Sequence, residues 1–330
     1  MKLAWPVEIV GSGVYMPERV VTNDELARVV DTSDEWIVQR TGIRERRWVA
    51  PGQGTLDLAT RASTAALQDA GLTPADLDLI VVATITPEHM LPSTACLLQA
   101  ALGCRWIPAF DLAAACSGFV YGVLAAAQYV VTGIAGTVLV VGAEALSTVT
   151  DPQDRGTCIL FGDGAGAAIL RRAQESQRGV LAARWGADGE RGKLIYIPAG
   201  GSRHPATRQT VDERLHFMRM QGREVYKFAV LQMADIIVET CQDAGVSVSD
   251  LALVIPHQSN LRIIESACSK IGLSLERVLI NIDRYGNTSA ASVAVALHEA
   301  RAAGRCRPGD LVMLVAFGAG LTWASALLRV

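Results

Sequence analysis

Gly71-Leu72-Thr73-Pro74-Ala75-Asp76-Leu77-Asp78-Leu79-Ile80-Val81 aligns without gaps on Gly245-Val246-Ser247-Val248-Ser249-Asp250-Leu251-Ala252-Leu253-Val254-Ile255. Each segment follows a helical pattern and runs into an apolar stretch of strand length. Gly136-Thr137-Val138-Leu139-Val140-Val141 resembles Gly309-Asp310-Leu311-Val312-Met313-Leu314 at nearly the same offset. One short match is what any two βα units share. Two matches at similar offsets, in the same context, indicate a duplicated fold. The halves are expected at 1–172 and 173–330, with 199–222, rich in Gly, Arg and His, as an inserted loop.

Outward from the repeat, short apolar runs alternate with longer helical patterns, so α/β layers around buried sheets are expected. The runs 79–85, 137–142 and 311–317 read as strands, and 56–70, 224–244 and 289–303 as helices. Gly71, Gly245 and Gly304 follow those helices, at the position where a left-handed residue ends a helix.

Half of the 330 residues are apolar and 19% are charged, enough for a large buried core. The net charge of -3 gives no general attraction for nucleic acid or an anionic membrane surface, so an acidic partner must meet a local basic patch. Seven cysteines, an odd number without a CxxC pair or zinc spacing, fit reduced thiols. The opening MKLAWPVEIVGSG lacks the apolar core of a signal peptide and reads as a first strand. No run reaches the roughly 20 apolar residues of a membrane span. A cytoplasmic protein is expected.

Three positions stand out for chemistry. Cys116, in Ala113-Ala114-Ala115-Cys116-Ser117-Gly118, precedes an apolar helical pattern. A helix start favours a thiolate, and small neighbours leave space beside the sulfur; a packed core cysteine is the plainer alternative. His257 follows the apolar run ending at Pro256, at the carboxyl end of a strand, where open α/β sheets bind ligands. Capping the next helix would equally explain it. Asn287, in Gly286-Asn287-Thr288-Ser289, is by spacing alone an N-cap. Gly11-Ser12-Gly13, Gly192-Lys193 and Gly162-Asp163-Gly164-Ala165-Gly166 fit no nucleotide-binding spacing and read as tight turns.

Together, Ala113–Gly118, Pro256-His257-Gln258-Ser259-Asn260-Leu261-Arg262-Ile263 and Gly286-Asn287-Thr288-Ser289-Ala290-Ala291-Ser292 resemble the three active-site motifs of the β-ketoacyl-acyl carrier protein synthase III family. The likeness continues through Asp31–Ile37, Arg40–Arg44, Asp154–Thr157 and Phe317–Trp323, in order along essentially the whole chain. It implies a thiolase-like αβαβα fold, a homodimer, and condensation of an acyl-CoA primer with malonyl-acyl carrier protein through an acyl-cysteine. No metal or redox cofactor is implied.

By motif position, Cys116 would be the nucleophile and His257 and Asn287 its partners. The backbone N–H groups of Cys116 and Ala319 would form the oxyanion hole. Trp36 and Arg155 would flank the adenine of coenzyme A, with Arg40 also in the coenzyme A site. Asn260 would line the pantetheine tunnel, and Phe317 would sit beside the site of decarboxylation. Arg262, Lys227 and Lys270 would meet the acidic carrier protein, although the two lysines read equally well as solvated charges. Two positions depart from the family pattern. Ala319 stands where many members have glycine, and Leu91, which shapes the acyl pocket across the dimer, is often Phe. Elongating synthases carry a second histidine where Asn287 stands. The rival readings are a related acyltransferase or condensing enzyme of specialised metabolism and an inactive dimeric partner.

Overall fold

A computed structural model describes residues 5–175 and 178–330. Strands β1 (Val7–Tyr15), β2 (Leu79–Ala83), β3 (Ala109–Leu112), β4 (Thr137–Glu144) and β5 (Gly164–Arg172) form one sheet in the order β1-β5-β4-β2-β3. Strands β6 (Gly179–Ala187), β7 (Leu253–Pro256), β8 (Leu311–Gly318) and β9 (Thr322–Arg329) form a second, in the order β7-β8-β9-β6. The orders correspond: β1 with β6, β5 with β9, β4 with β8, and β2 with β7. In each sheet the repeated strands pair in parallel (Leu79 with Val138, Leu253 with Val312), while the following strand returns antiparallel. Where the first sheet has β3, the second has only a parallel bridge between Val254 and Val278.

Six helices matter to the site: α1 (Asp34–Thr41), α2 (Thr55–Ala70), α3 (Gly118–Thr132), α4 (Gly222–Ala244), α5 (Leu261–Lys270) and α6 (Ala291–Ala302). Helix α2 covers the outer face of the first sheet and α4 that of the second, while α3 and α6 contact both sheets and fill the layer between them. The result is a five-layer αβαβα arrangement. Its central core combines Phe119, Val123 and Leu124 of α3 with Val293 and Leu297 of α6, Val140 of β4 and Leu314 of β8, all buried. Each such side chain contributes on the order of 1.5–3 kcal/mol by leaving water. The segment Ala115–Thr132 has the length and hydropathy of a membrane span, but here it lies within that core layer.

The repeated segments share their local chemistry. Thr73 and Ser247 each donate a backbone N–H to an aspartate three residues on, Asp76 or Asp250, at 2.8 Å in both. Gly71 and Gly245 both adopt left-handed φ, +65° and +71°, and end α2 and α4 as expected. The expected elements are all present with ends displaced by one or two residues, and two of these displacements have a clear cause. Strand β2 ends at Ala83, because Thr84, Ile85 and Thr86 turn to donate hydrogen bonds to the Glu144 carboxylate. Helix α6 begins at Ala291, because Ser289 holds a left-handed φ of +46° that helix cannot continue. The 199–222 segment contains a short helix, Arg208–Asp212, and Arg219–Met220, which pairs with Ile195–Tyr196.

The halves meet closely at Gly142 of β4. A Cβ there would collide with the Ala290 carbonyl oxygen and lie 2.7 Å from its carbonyl carbon. Gly142→Ala should therefore lower the free energy of unfolding by about 1–3 kcal/mol through overpacking. Gly189→Ala, whose added carbon would meet nothing within 4 Å, should stay within about 0.5 kcal/mol of the parent. Urea unfolding of both variants checks this, and equal effects would refute the close approach.

Candidate active site

Cys116 lies in a tight turn, Ala115–Ser117, between β3 and α3. Ala115 adopts φ +47°, a strained value for a residue with a side chain, so the turn projects Cys116 out of the sheet. The turn after β8 closes over it: a Cβ on Gly318 would lie 2.7 Å from the Cys116 nitrogen, so only glycine passes here. That turn carries Ala319, which lines the same cavity as Cys116. Thr322 secures the junction, donating its hydroxyl to the Ala114 carbonyl at 3.0 Å.

Cys116 and Ala319 are joined on the cavity lining by His257, Asn287, Phe317 and Ser289. The cavity measures about 320 Å³ and is mostly apolar, with Ile85, Leu146, Leu160, Phe161, Ile195 and Met218 along its walls. The Cys116 residue is partly open to that space, while its sulfur is otherwise enclosed by protein atoms. Burial pushes its thiol up to about 12, opposed next by the Ser289 hydroxyl and then aided by the Glu144 charge. Burial thus opposes the thiolate that the helix start favours.

His257 follows β7 directly, and its backbone N–H donates to Val315 of β8. Its Nδ1 lies 2.6 Å from the Ser292 hydroxyl, which also accepts the Gln258 N–H at 3.4 Å. Where Ser292 donates its proton to Nδ1, the imidazole proton sits on Nε2, the tautomer that presents an N–H to the cavity. Burial holds the imidazole down to about 3, so it is neutral at physiological pH. Phe317 meets it edge-on, ring centres 5.5 Å apart. His257 does not cap α5. Asn260 does, accepting the Arg262 N–H at 2.9 Å while donating to the Arg40 carbonyl at 3.1 Å.

Asn287 does not cap α6, whose N-cap is Ala290. Its Oδ1 accepts the Ser289 N–H at 2.9 Å, which leaves its NH2 for other partners. Its backbone is joined to the first half on both sides: Asn287 N–H donates to Leu160, and Gly162 N–H to Asn287, at 2.8 and 3.0 Å.

At the mouth, Arg40, Asn260 and Arg262 line the cavity. Trp36, one turn before Arg40 on α1, carries the Arg40 guanidinium 4.4 Å from its ring centre and the Arg155 guanidinium at 5.0 Å. Arg155 also donates to the Asp31 carbonyl at 2.8 Å. No ring fits between Trp36 and Arg155 at that spacing. Lys227 is exposed and bonded to Glu224 at 2.9 Å, and Lys270 is exposed at the far end of α5 from Arg262. Leu91 lies away from the cavity, 87% exposed beside Met90 at 85%.

Three contributors escaped the sequence reading: Ser292, Gly318 and Glu144. The first two sit inside motifs already singled out, but their contacts join residues far apart in sequence. Glu144 gave only the signal of a charge closing a wholly apolar strand.

The description 3-oxoacyl-[acyl-carrier-protein (ACP)] synthase III matches residues 110–189, and its C-terminal counterpart matches residues 241–330. Beta-ketoacyl-[acyl-carrier-protein] synthase III of Caldanaerobacter subterraneus subsp. tengcongensis is 53% identical over 321 residues, 97% of each chain. Its counterpart in Symbiobacterium thermophilum is 52% identical over 324 residues, 98% of each chain. Among solved structures, 3-oxoacyl-[acyl-carrier-protein] synthase III from Aquifex aeolicus VF5 superposes with a TM-score of 0.91 at 45% identity, covering 98% of this chain and 100% of that one. Because the first matched segment contains Cys116 and the second contains His257 and Asn287, and relatives above 50% identity span nearly the full length, the chain belongs to the β-ketoacyl-acyl carrier protein synthase III family.

Proposed function

We propose that the chain joins the acyl group of a coenzyme A thioester to malonyl-acyl carrier protein with loss of carbon dioxide, starting fatty-acid synthesis, and that Cys116, His257 and Asn287 carry the reaction. The observation that supports this most directly is their convergence, from both halves of the fold (1–172 and 173–330), on one mostly apolar cavity with a cationic mouth.

In the first stage the Cys116 sulfur attacks the thioester carbon. The new S–C bond forms, the bond to the coenzyme A sulfur breaks, and the thiol proton ends on the departing coenzyme A. Negative charge on the tetrahedral oxygen meets the backbone N–H groups of Cys116 and Ala319, which donate without reorganising. Arg40, Arg155 and Trp36 hold the nucleotide end. Arg155 must swing off Trp36 to admit the adenine, because the two are too close to sandwich it. Asn260 lines the path of the pantetheine arm.

In the second stage the malonyl carboxylate leaves as carbon dioxide, and its bonding electrons pass to the α-carbon and thioester oxygen. His257 Nε2–H and the Asn287 NH2 donate to that oxygen as charge builds. A neutral His257 suits this role, because it remains an N–H donor without a net charge. The carbanion attacks the acyl carbon, the bond to Cys116 breaks, and the sulfur regains a proton as the β-ketoacyl product leaves. Each developing charge meets an N–H of this chain, so no step invokes a metal or redox cofactor.

Arg262 at the rim, with Lys227 on α4 and Lys270 at the other end of α5, supplies positive charge for an acidic carrier protein. The exposed Met90–Leu91 apolar surface suits burial against a second copy, in a homodimer where Leu91 of one copy walls the acyl pocket of the other. The protein is read as cytoplasmic, where both substrates are made.

Intact mass after mixing with acetyl-CoA tests the assignment. The parent should gain one acyl group and Cys116→Ser none. His257→Ala and Asn287→Ala should still acylate but lose 100-fold or more in malonyl decarboxylation, on the order of other oxyanion-donor deletions. No adduct with any acyl-CoA would refute Cys116 as nucleophile. Leu91→Phe should shift the preferred primer to shorter chains in competition among acyl-CoAs. Unchanged preference would remove Leu91 from the pocket.

A further inference from the structure

The mechanism leaves one buried ionisable group unused. Glu144, the last residue of β4, is fully buried and forms no ion pair among the described residues. Its Oε2 accepts three donors: Thr86 Oγ1 at 2.8 Å, Ile85 N–H at 3.1 Å and Thr84 Oγ1 at 3.2 Å. Oε2 thus takes the donors of this network, in which Thr84 Oγ1 also accepts the Thr86 N–H and Thr86 Oγ1 the Ala145 N–H. A proton on this carboxyl therefore belongs on Oε1, the oxygen that is buried without a partner.

The Ser289 hydroxyl is likewise buried and unpartnered, and it lines the active-site cavity. It lines the same cavity as Cys116, and the close approach of β4 to Ala290 at Gly142, two residues before Glu144 on the same strand face, brings it beside the Glu144 carboxyl without a hydrogen bond to either group. Its position is fixed by the φ of +46° and by the Ser289 N–H bond to Asn287. Glu144 Oε1 and Ser289 Oγ are thus two buried polar atoms without partners among the described residues, near the nucleophile.

We propose that Glu144 and Ser289 are a positioning pair for Cys116, in which the Ser289 hydroxyl passes the protonation state of Glu144 to the sulfur. With Oε1 protonated, Glu144 donates to Ser289 Oγ, and the Ser289 proton turns to the sulfur and stabilises negative charge there. With Oε1 ionised, the Ser289 proton turns to the carboxylate, and the sulfur loses its donor and faces a like charge. The pair changes Cys116 reactivity within the reaction proposed above and rests on Cys116 being its nucleophile. Burial pushes the Glu144 carboxyl up to about 7, which puts the change near neutral pH. Cys116 is the titratable group facing Glu144. The segments packed around it, 84–86, 145–148 and 287–292, contain no lysine, arginine or histidine.

The test is the pH profile, from 5.5 to 9, of Cys116 alkylation by iodoacetamide, followed on the Cys116 peptide, beside acyl transfer from acetyl-CoA. Glu144→Gln keeps a neutral donor at every pH, so its alkylation should run about tenfold faster than the parent at pH 8, a shift of about one unit in thiol pKa. Ser289→Ala should slow alkylation at pH 6 and flatten the change between pH 6 and 8. If Glu144→Gln does not fold, the Ser289→Ala profile decides. Profiles that superimpose on the parent, or that are lowered equally at every pH, overturn the pair while leaving the acyl-transfer reading intact. Shifted alkylation with no acylation by acetyl-CoA or longer acyl-CoAs upholds the pair and removes the reaction assigned to it.

Discussion

The structure depends on two helices enclosed between two sheets. Once α3 and α6 are sandwiched, most of each helix is buried, and their buried faces read as nearly continuous Ala, Val and Leu. Such helices pack tightly where one side of the contact offers no side chain, so glycine recurs there: on the sheet, Gly142 against Ala290 and Gly166 against Ala294, and on the helix, Gly122 against Val140. The same packing brings the amino ends of α3 and α6 to one place. The Cys116 turn precedes α3, and the Asn287–Ala290 turn precedes α6. The active site is a consequence of the core, formed where two buried helices begin and their preceding turns must find polar partners.

Arg46 holds that junction from below. It is fully buried, and its guanidinium donates to Val21 and Ile159 carbonyls and to Asn23 Oδ1, with no carboxylate in contact. Burial lowers it to about 10, which still leaves it charged at neutral pH. Its Cβ would lie 3.1 Å from a side chain at Gly162 and 3.2 Å from one at Gly286. Those glycines let the 160–162 and 285–287 segments close over the arginine stem and exchange the backbone bonds that fix Asn287. A buried cation met only by neutral acceptors is a weak source of stability but a strong positional constraint, since displacing any acceptor leaves a charge unmet.

Much of this was legible because it is local. The repeat, the glycine stops after α2 and α4, and the strand carrying His257 each follow from residues within a few positions of one another. What escaped depends on pairs distant in sequence. Nothing near His257 announces that Ser292 will take its Nδ1, or that Thr84 and Thr86 will leave their strand to reach Glu144. Asn287 shows how a sound local rule fails. Its spacing suits an N-cap, but the left-handed Ser289 moves the helix start to Ala291, and the amide is released for the cavity.

Burial opposes a preformed thiolate–imidazolium pair. With the thiol pushed up to about 12 and the imidazole down to about 3, moving the proton from sulfur to ring is strongly unfavourable despite the attraction between the products. Burial thus favours the neutral pair, and negative charge on sulfur is best accommodated as the acyl thioester arrives and its carbonyl oxygen begins to share that charge. The same neutrality serves the second stage. An imidazolium would hold the malonyl carboxylate as firmly as the enolate and would stabilise the ground state along with the transition state. A neutral N–H beside the hydrocarbon edge of Phe317 offers the carboxylate little, and gains strength only as charge passes to the thioester oxygen. Burial thus makes the nucleophile harder to ionise and the donor better matched to decarboxylation, both through exclusion of water from the layer that also holds the fold together.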